Sequence, residues 1–189
     1  MKTNAFLPAL SLSALLSVGC GPSLSSMHAR AAVGEVEPDA PLHTTQSVTV
    51  AAPRARVWAL FTAFGAWPTW QPNITRVTPP GALEPGAKFT WVNGGTEISS
   101  TLAVVRPTEM LAWTGSVATA KAIHVWRFSS PTPETTRVEV DETMDGFLLT
   151  WFYGQKDLDA EIARSLRNLR KAAESTSPAL RTTAGVAQN

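Results

Sequence analysis

The sequence predicts an α+β domain in which a strongly curved, seven-stranded antiparallel sheet wraps around a long C-terminal helix. Three observations carry that expectation. Short strand-like runs follow one another from 74 to 144 with turn signals between them. After Gly146 the apolar spacing changes to threes and fours. Finally, 189 residues at 44% hydrophobic, with seven Trp and seven Phe, can fill one core and not two.

Taken in order, 47–51 alternates, with Val48 and Val50 on one face, and reads as a strand that Ala52-Pro53 closes. A helix follows with the apolar stripe Val57, Trp58, Leu60, Phe61 and Phe64, ended by Gly65. Trp67-Pro68-Thr69-Trp70-Gln71-Pro72 reads as a stiff aromatic turn, because a residue before proline is pushed out of the helical region. Strands are expected at 74–78, 88–92, 97–105, 110–116, 122–128 and 137–144. Pro79-Pro80-Gly81, Asn93-Gly94-Gly95, Arg106-Pro107 and residues 129–133 separate most of them. Short strands with short links make antiparallel hairpins. Leu148, Trp151 or Phe152, Leu158, Ile162, Leu166, Leu169 and Ala173 then mark one long amphipathic helix with Gly154 as a soft point. Its apolar face must lie on the sheet, and the curvature leaves a gap between them.

The flanks read differently. Met1 to Asn4 carries one Lys, and 5–18 is apolar but too short for a span of about 20 residues, so 1–19 is read as a signal peptide. Leu16-Ser17-Val18-Gly19-Cys20 resembles the lipobox of bacterial lipoproteins. That resemblance implies that Cys20 receives a diacylglyceryl thioether and that its acyl chains hold the protein on a membrane surface. The expected location is then the cell envelope, at the outer membrane of a Gram-negative cell, since Gly21 is not the Asp that retains such lipoproteins at the inner membrane. If the ordinary signal peptidase cuts instead, the chain is exported as a secreted or periplasmic protein. Cys20 is the one Cys, so no internal disulfide is expected. Residues 20–44, rich in Ser, Ala, Gly and Pro, read as a flexible tether. The folded domain is expected at 45–174 and a loose, disordered tail at 175–189.

Charge and motifs exclude several classes. Sixteen Lys+Arg stand against fifteen Asp+Glu, and removal of 1–19 takes Lys2 and leaves a balance of zero. A protein that lives on phosphate contacts needs a surplus of cations, so no nucleic-acid partner is expected. The basic cluster at Arg164, Arg167, Arg170 and Lys171 ends a stretch that begins with Asp157, Asp159 and Glu161, the pattern of dipole compensation along one helix. The 45–174 region holds a single His, His124, and no Cys, so no metal site and no cofactor are expected there. No phosphate-binding glycine loop, dinucleotide fingerprint or Gly-x-Ser-x-Gly elbow is present.

The opening 47–58, the Trp67/Trp70/Pro72 turn, Leu111-Ala-Trp-Thr-Gly115, His124-Val-Trp-Arg-Phe128 and Thr136-Arg-Val-Glu-Val-Asp-Glu142 leading to Gly146 resemble the START-like, or SRPBCC, superfamily. Within it they are most similar to the polyketide cyclase/dehydrase and lipid-transport group. The resemblance covers about residues 45–174. It implies a helix-grip fold with an apolar cavity between sheet and C-terminal helix, and a carrier, a cyclase or neither, since fold alone does not decide function.

Two polar groups stand out on apolar strand faces. Ala122, His124, Trp126 and Phe128 share one face of their strand, and Val138, Val140, Glu142 and Met144 share one face of the next. A hairpin register pairing Phe128 with Val138 sets His124 beside Glu142, where the carboxylate either satisfies a core histidine or poises a general base. A slip by one residue separates them. Trp113, Trp126, Phe128, Val140, Met144, Trp151 and Phe152 are the expected ligand-binding wall, and a small hydrophobic molecule is the expected ligand. The sequence thus predicts an exported, lipid-anchored binding protein. Its alternative is an aromatase/cyclase-type enzyme with His124 and Glu142 as catalytic acid and base.

Overall fold

A computed structural model describes residues 21–118 and 120–175. In chain order they form α1 (Leu24–Ala32), β1 (Leu42–Val50), α2 (Arg54–Thr62), a 3-10 turn (Phe64–Ala66), α3 (Trp67–Trp70), β2 (Ile74–Thr78), β3 (Lys88–Asn93), β4 (Thr96–Arg106), β5 (Met110–Val117), β6 (Ala120–Thr132), β7 (Thr135–Gly146), α4 (Leu149–Phe152) and α5 (Gln155–Glu174). The strands make one antiparallel sheet in the order β1-β7-β6-β5-β4-β3-β2, so every neighbour except β1 is also a neighbour in sequence. The sheet curves and α5 lies across it, which is the predicted α+β helix-grip architecture. Each expected strand is present, and its ends move by a few residues at most except in β1 and β6, which are longer.

Local chemistry explains the connections. Asn93 pairs with Thr96, so the β3–β4 turn is the two residues Gly94 and Gly95, both at positive φ (56° and 87°). A two-residue turn of that hand matches strand twist but penalises a side chain, which is why glycines stand there. α5 buries Leu158, Ile162, Leu166, Leu169 and Ala173, one stripe at helical spacing. The inner face of the sheet closes on that stripe and on Val57, Trp58 and Phe61 of α2, forming the larger core.

The sheet is covered on both faces, contrary to the expectation for 20–44. That segment is no tether throughout: it holds α1, which packs on β4, β5 and β6, and the first residues of β1. β5 and β6 are apolar on both sides, with Ala112, Ile123 and Val125 facing away from α5. Met27 and Ala31 of α1, four residues apart, seal them completely. An outer face of that composition left in water would cost about 25 cal/mol per Å² of apolar surface. Ser23 caps α1 by accepting the Ser26 N–H at 3.0 Å, and Arg127 of β6 donates to the Gly34 carbonyl at 2.6 Å just beyond it.

Two further expectations change. Trp67-Pro68-Thr69-Trp70 is a helical turn, with Pro68 in its first positions where no N–H is needed. Trp67 itself takes helical angles although it precedes a proline, and its indole N–H donates to the Phe61 carbonyl at 2.7 Å. The single long helix after Gly146 is two helices. Leu148 sits at φ 63°, Tyr153 is extended, and Gly154 is the N-cap of α5, its N–H donating to Asp157 Oδ2 at 2.9 Å. Gly154 is therefore a helix start and no soft point. The signal peptide, Cys20 and the tail beyond Ser175 lie outside the described residues.

Candidate functional site

Strand pairing lays the inner face out in rungs. Leu102, Trp113, His124, Glu142 and Thr44 form one rung across β4, β5, β6, β7 and β1. On one side runs Leu111, Trp126, Val140 and Gln46, and on the other Ser100, Gly115, Ala122, Met144 and Leu42. The rung of indole and branched side chains is packed: Phe61 of α2 stands over Trp126 at 4.5 Å and touches Trp113 and Phe128. The rung with Gly115 and Ala122 has little side chain to fill the same height. Space opens there.

The β6–β7 register pairs Phe128 with Val138, Trp126 with Val140 and His124 with Glu142. His124 Nδ1 lies 2.7 Å from Glu142 Oε2, and both side chains are buried. A neutral imidazole that donates from Nδ1 to the carboxylate has its lone pair on Nε2. A Cβ at Gly115 would stand 3.4 Å from Nε2 and 3.3 Å from Ile98 Cγ2, so the missing side chain at 115 keeps that nitrogen clear. The imidazole stacks on the Trp113 indole at 4.8 Å and 16°, which fixes its plane.

Two spaces border this pair. A small hollow of about 60 Å³, bordered by Phe61, Trp67, Trp70, Trp113 and Trp126, has room for a few waters and no more. A cavity of about 400 Å³ lies on the Gly115 and Ala122 side, within the usual range for small-molecule sites, and its lining is mostly apolar. His124, Glu142, Trp91, Asn93 and Glu161 border both.

The α5 side supplies a second polar group that the sequence reading missed. Glu161 Oε2 accepts the Tyr153 hydroxyl at 2.8 Å, and Glu161 Oε1 accepts the Asn93 side-chain amide. Burial and then the carboxylates of Glu161 and Glu142 push the Tyr153 phenol well above its ordinary range, so it stays a proton donor. Glu161 flanks the apolar stripe three residues after Leu158, a signal read as helix charge balance, and Asn93 was read as a turn residue. Buried indole N–H groups of Trp70, Trp113 and Trp126 have no acceptor among the described residues, and all three rings border the small hollow.

The expected wall is thus only partly the observed one. Trp113 and Trp126 border the small hollow, and Met144 and Phe152 border the large cavity. Phe128 and Val140 are core residues, Phe128 edge-on to Trp58 at 5.4 Å, because their rungs lie under α2. Trp151 borders neither space and is 76% exposed, because the chain breaks between α4 and α5 and turns that ring outward.

A curved antiparallel sheet that grips a helix around an apolar cavity with a few converging polar groups defines a ligand-cavity protein of the helix-grip class. The chain belongs to the family described as polyketide cyclase / dehydrase and lipid transport, whose pattern it matches over residues 41–174. Solved structures agree in fold. The hypothetical protein jhp0584 from Helicobacter pylori superimposes with a TM-score of 0.64 at 12% identity, over 72% of this chain and 90% of that one. The ZhuI aromatase/cyclase from Streptomyces sp. R1128 gives 0.58 at 16%, over 70% and 93%. A START superfamily protein from Mycobacterium smegmatis gives 0.51 at 18%, over 70% and 94%. No curated protein matches the chain.

Proposed function

We propose that this chain is an exported, lipid-anchored protein that binds a small hydrophobic molecule, lipid or polyketide-like, in the cavity beside Gly115. The observation that carries this reading is a space of about 400 Å³ with a mostly apolar lining and polar groups gathered at one place, His124 with Glu142 and Tyr153 with Glu161. Transfer of the ligand's apolar surface out of water, at about 25 cal/mol per Å², supplies the affinity. The polar groups orient an oxygenated end. The family and the cavity support the ligand, while export and Cys20 lipidation rest on the leader sequence. Native mass spectrometry of the full chain isolated from membranes tests both at once: the expected result is a diacylglyceryl mass on Cys20 and a bound small molecule. An unmodified N-terminus ends the anchor, and a bare protein that also takes up no N-phenyl-1-naphthylamine ends the cavity.

The buried 2.7 Å contact between His124 and Glu142 favours one second reading, an aromatase/cyclase-type enzyme. With Nδ1–H held by Glu142, Nε2 takes a proton from the carbon beside a ligand carbonyl while the electron pair moves onto the carbonyl oxygen. Glu142→Gln keeps the shape and removes the charge. Conversion of a poly-β-ketone probe that Glu142→Gln abolishes, with binding of the probe retained, supports the enzyme. Equal behaviour of both proteins leaves a binding protein.

A further inference from the structure

We propose that Trp151, Phe152 and Leu148 form a lip that docks on the surface of a lipid bilayer, with the cavity mouth facing the membrane. The inference rests on the cavity reading above and adds the place where ligand enters. Trp151 and Phe152 are 76% and 86% exposed, and Leu148 beside them is also exposed, a concentration of large apolar side chains that is unusual at a water-facing surface. The lip is the cavity's own rim: Leu149, Phe152 and Tyr153 border the 400 Å³ space.

The N-terminal chain converges on the same place. A Cβ at Gly21 would stand 2.6 Å from Asp145 Oδ2, so the backbone there lies against the residue that precedes Gly146 and the lip. Lys121, which borders the cavity, donates its Nζ to the Pro22 carbonyl. Gly21 and Pro22, the first described residues, therefore lie beside the rim and not at its far side. Whatever holds the N-terminus at a membrane holds the rim there too.

The chemistry selects a bilayer interface. Indole and phenyl rings favour the headgroup boundary. Lys121 and Asp145 both meet the N-terminal chain there, and Lys156 is followed in sequence by Asp157, so no surplus of positive charge singles out anionic lipid. Among the described residues no helix is long and apolar enough to cross a membrane, which fits an element that lies on the surface.

The test uses the chain from residue 20 with Cys20→Ala, so that neither leader nor acyl group is attached, against the same chain with Trp151→Ser and Leu148→Asn. Neither of those two residues borders the cavity, and Asn suits the positive φ at 148. Flotation with phosphatidylcholine vesicles should fall about tenfold or more in the substituted chain. Adding phosphatidylglycerol should change the ratio little, and uptake of N-phenyl-1-naphthylamine in vesicle-free buffer should be equal. Equal flotation of the two chains overturns the lip. So does loss of a dimer in sedimentation with flotation unchanged, which assigns the patch to a second copy. If neither chain takes up the probe but the flotation difference remains, docking stands and the cavity reading fails by itself.

Discussion

The two ends of the inner sheet face are built from the same strands and have opposite contents. Toward α2 the rungs carry Trp126, Val140, Phe128 and Val138, and Phe61 closes over them, leaving about 60 Å³. Toward α4 the rung carries Gly115, Ala122 and Met144, and about 400 Å³ stays open. The difference teaches that the cavity is set by which rung receives the small residues, while β6 pairs without a shift with β5 and, as far as Ser129, with β7. His124 and Glu142 sit at the boundary, where an imidazole can be held by packing on one side and meet a ligand on the other.

That contrast can be broken from either end. Trp126→Ala empties the filled end and should lower unfolding stability by about 3–5 kcal/mol in denaturant titrations, with uptake of N-phenyl-1-naphthylamine retained. Retained stability would mean that the aromatic end is not the core. On the outer face Met27→Ala should cost about 2–5 kcal/mol, a value that a loose tether could not give. Gly115→Val fills the open end. It should cost about 1–3 kcal/mol through pressure on Ile98 and His124, yet abolish probe uptake, so that binding and stability change in opposite order at the two ends.

The smallest expected effect is spectroscopic. Tyr153 is the chain's one tyrosine, so phenolate absorbance reads it alone. Because folding raises its pKa, the native protein should ionise at higher pH than the unfolded chain. Its contribution to stability is complete below the ordinary phenol value of about 10 and declines as the pH rises beyond it. Glu161→Gln should bring the titration back down; an unchanged titration would disconnect Tyr153 from Glu161.

Legibility differed from element to element. The His124–Glu142 contact could be read because side chains alternate strictly along strands and because β6 and β7 are joined by a short hairpin. Apolar residues on both faces of β5 and β6, Leu111-Ala112-Trp113 and Ile123 and Val125 against Ala122 and Trp126, also mark burial on two faces, a sign the sequence reading left unused. What covers the outer face was harder to see, since α1 is marked by little more than Met27, Ala31 and a capping Ser23 in a Ser- and Ala-rich stretch. The break between α4 and α5 left one trace, Gly154, which was read as a soft point because Trp151 and Phe152 fit the helical spacing that continues through Leu158.

By itself the sequence determined the strands, their order along the chain, the amphipathic stripe of α5 and the rung on which an imidazole meets a carboxylate. These follow from period and turn chemistry, which are local. Tertiary structure alone decided which rungs are filled, that Glu161 and Tyr153 face the same space as His124, and that Trp151 turns outward. Those outcomes depend on how closely α2, α4 and α5 approach the sheet, a balance of packing among residues far apart in the chain.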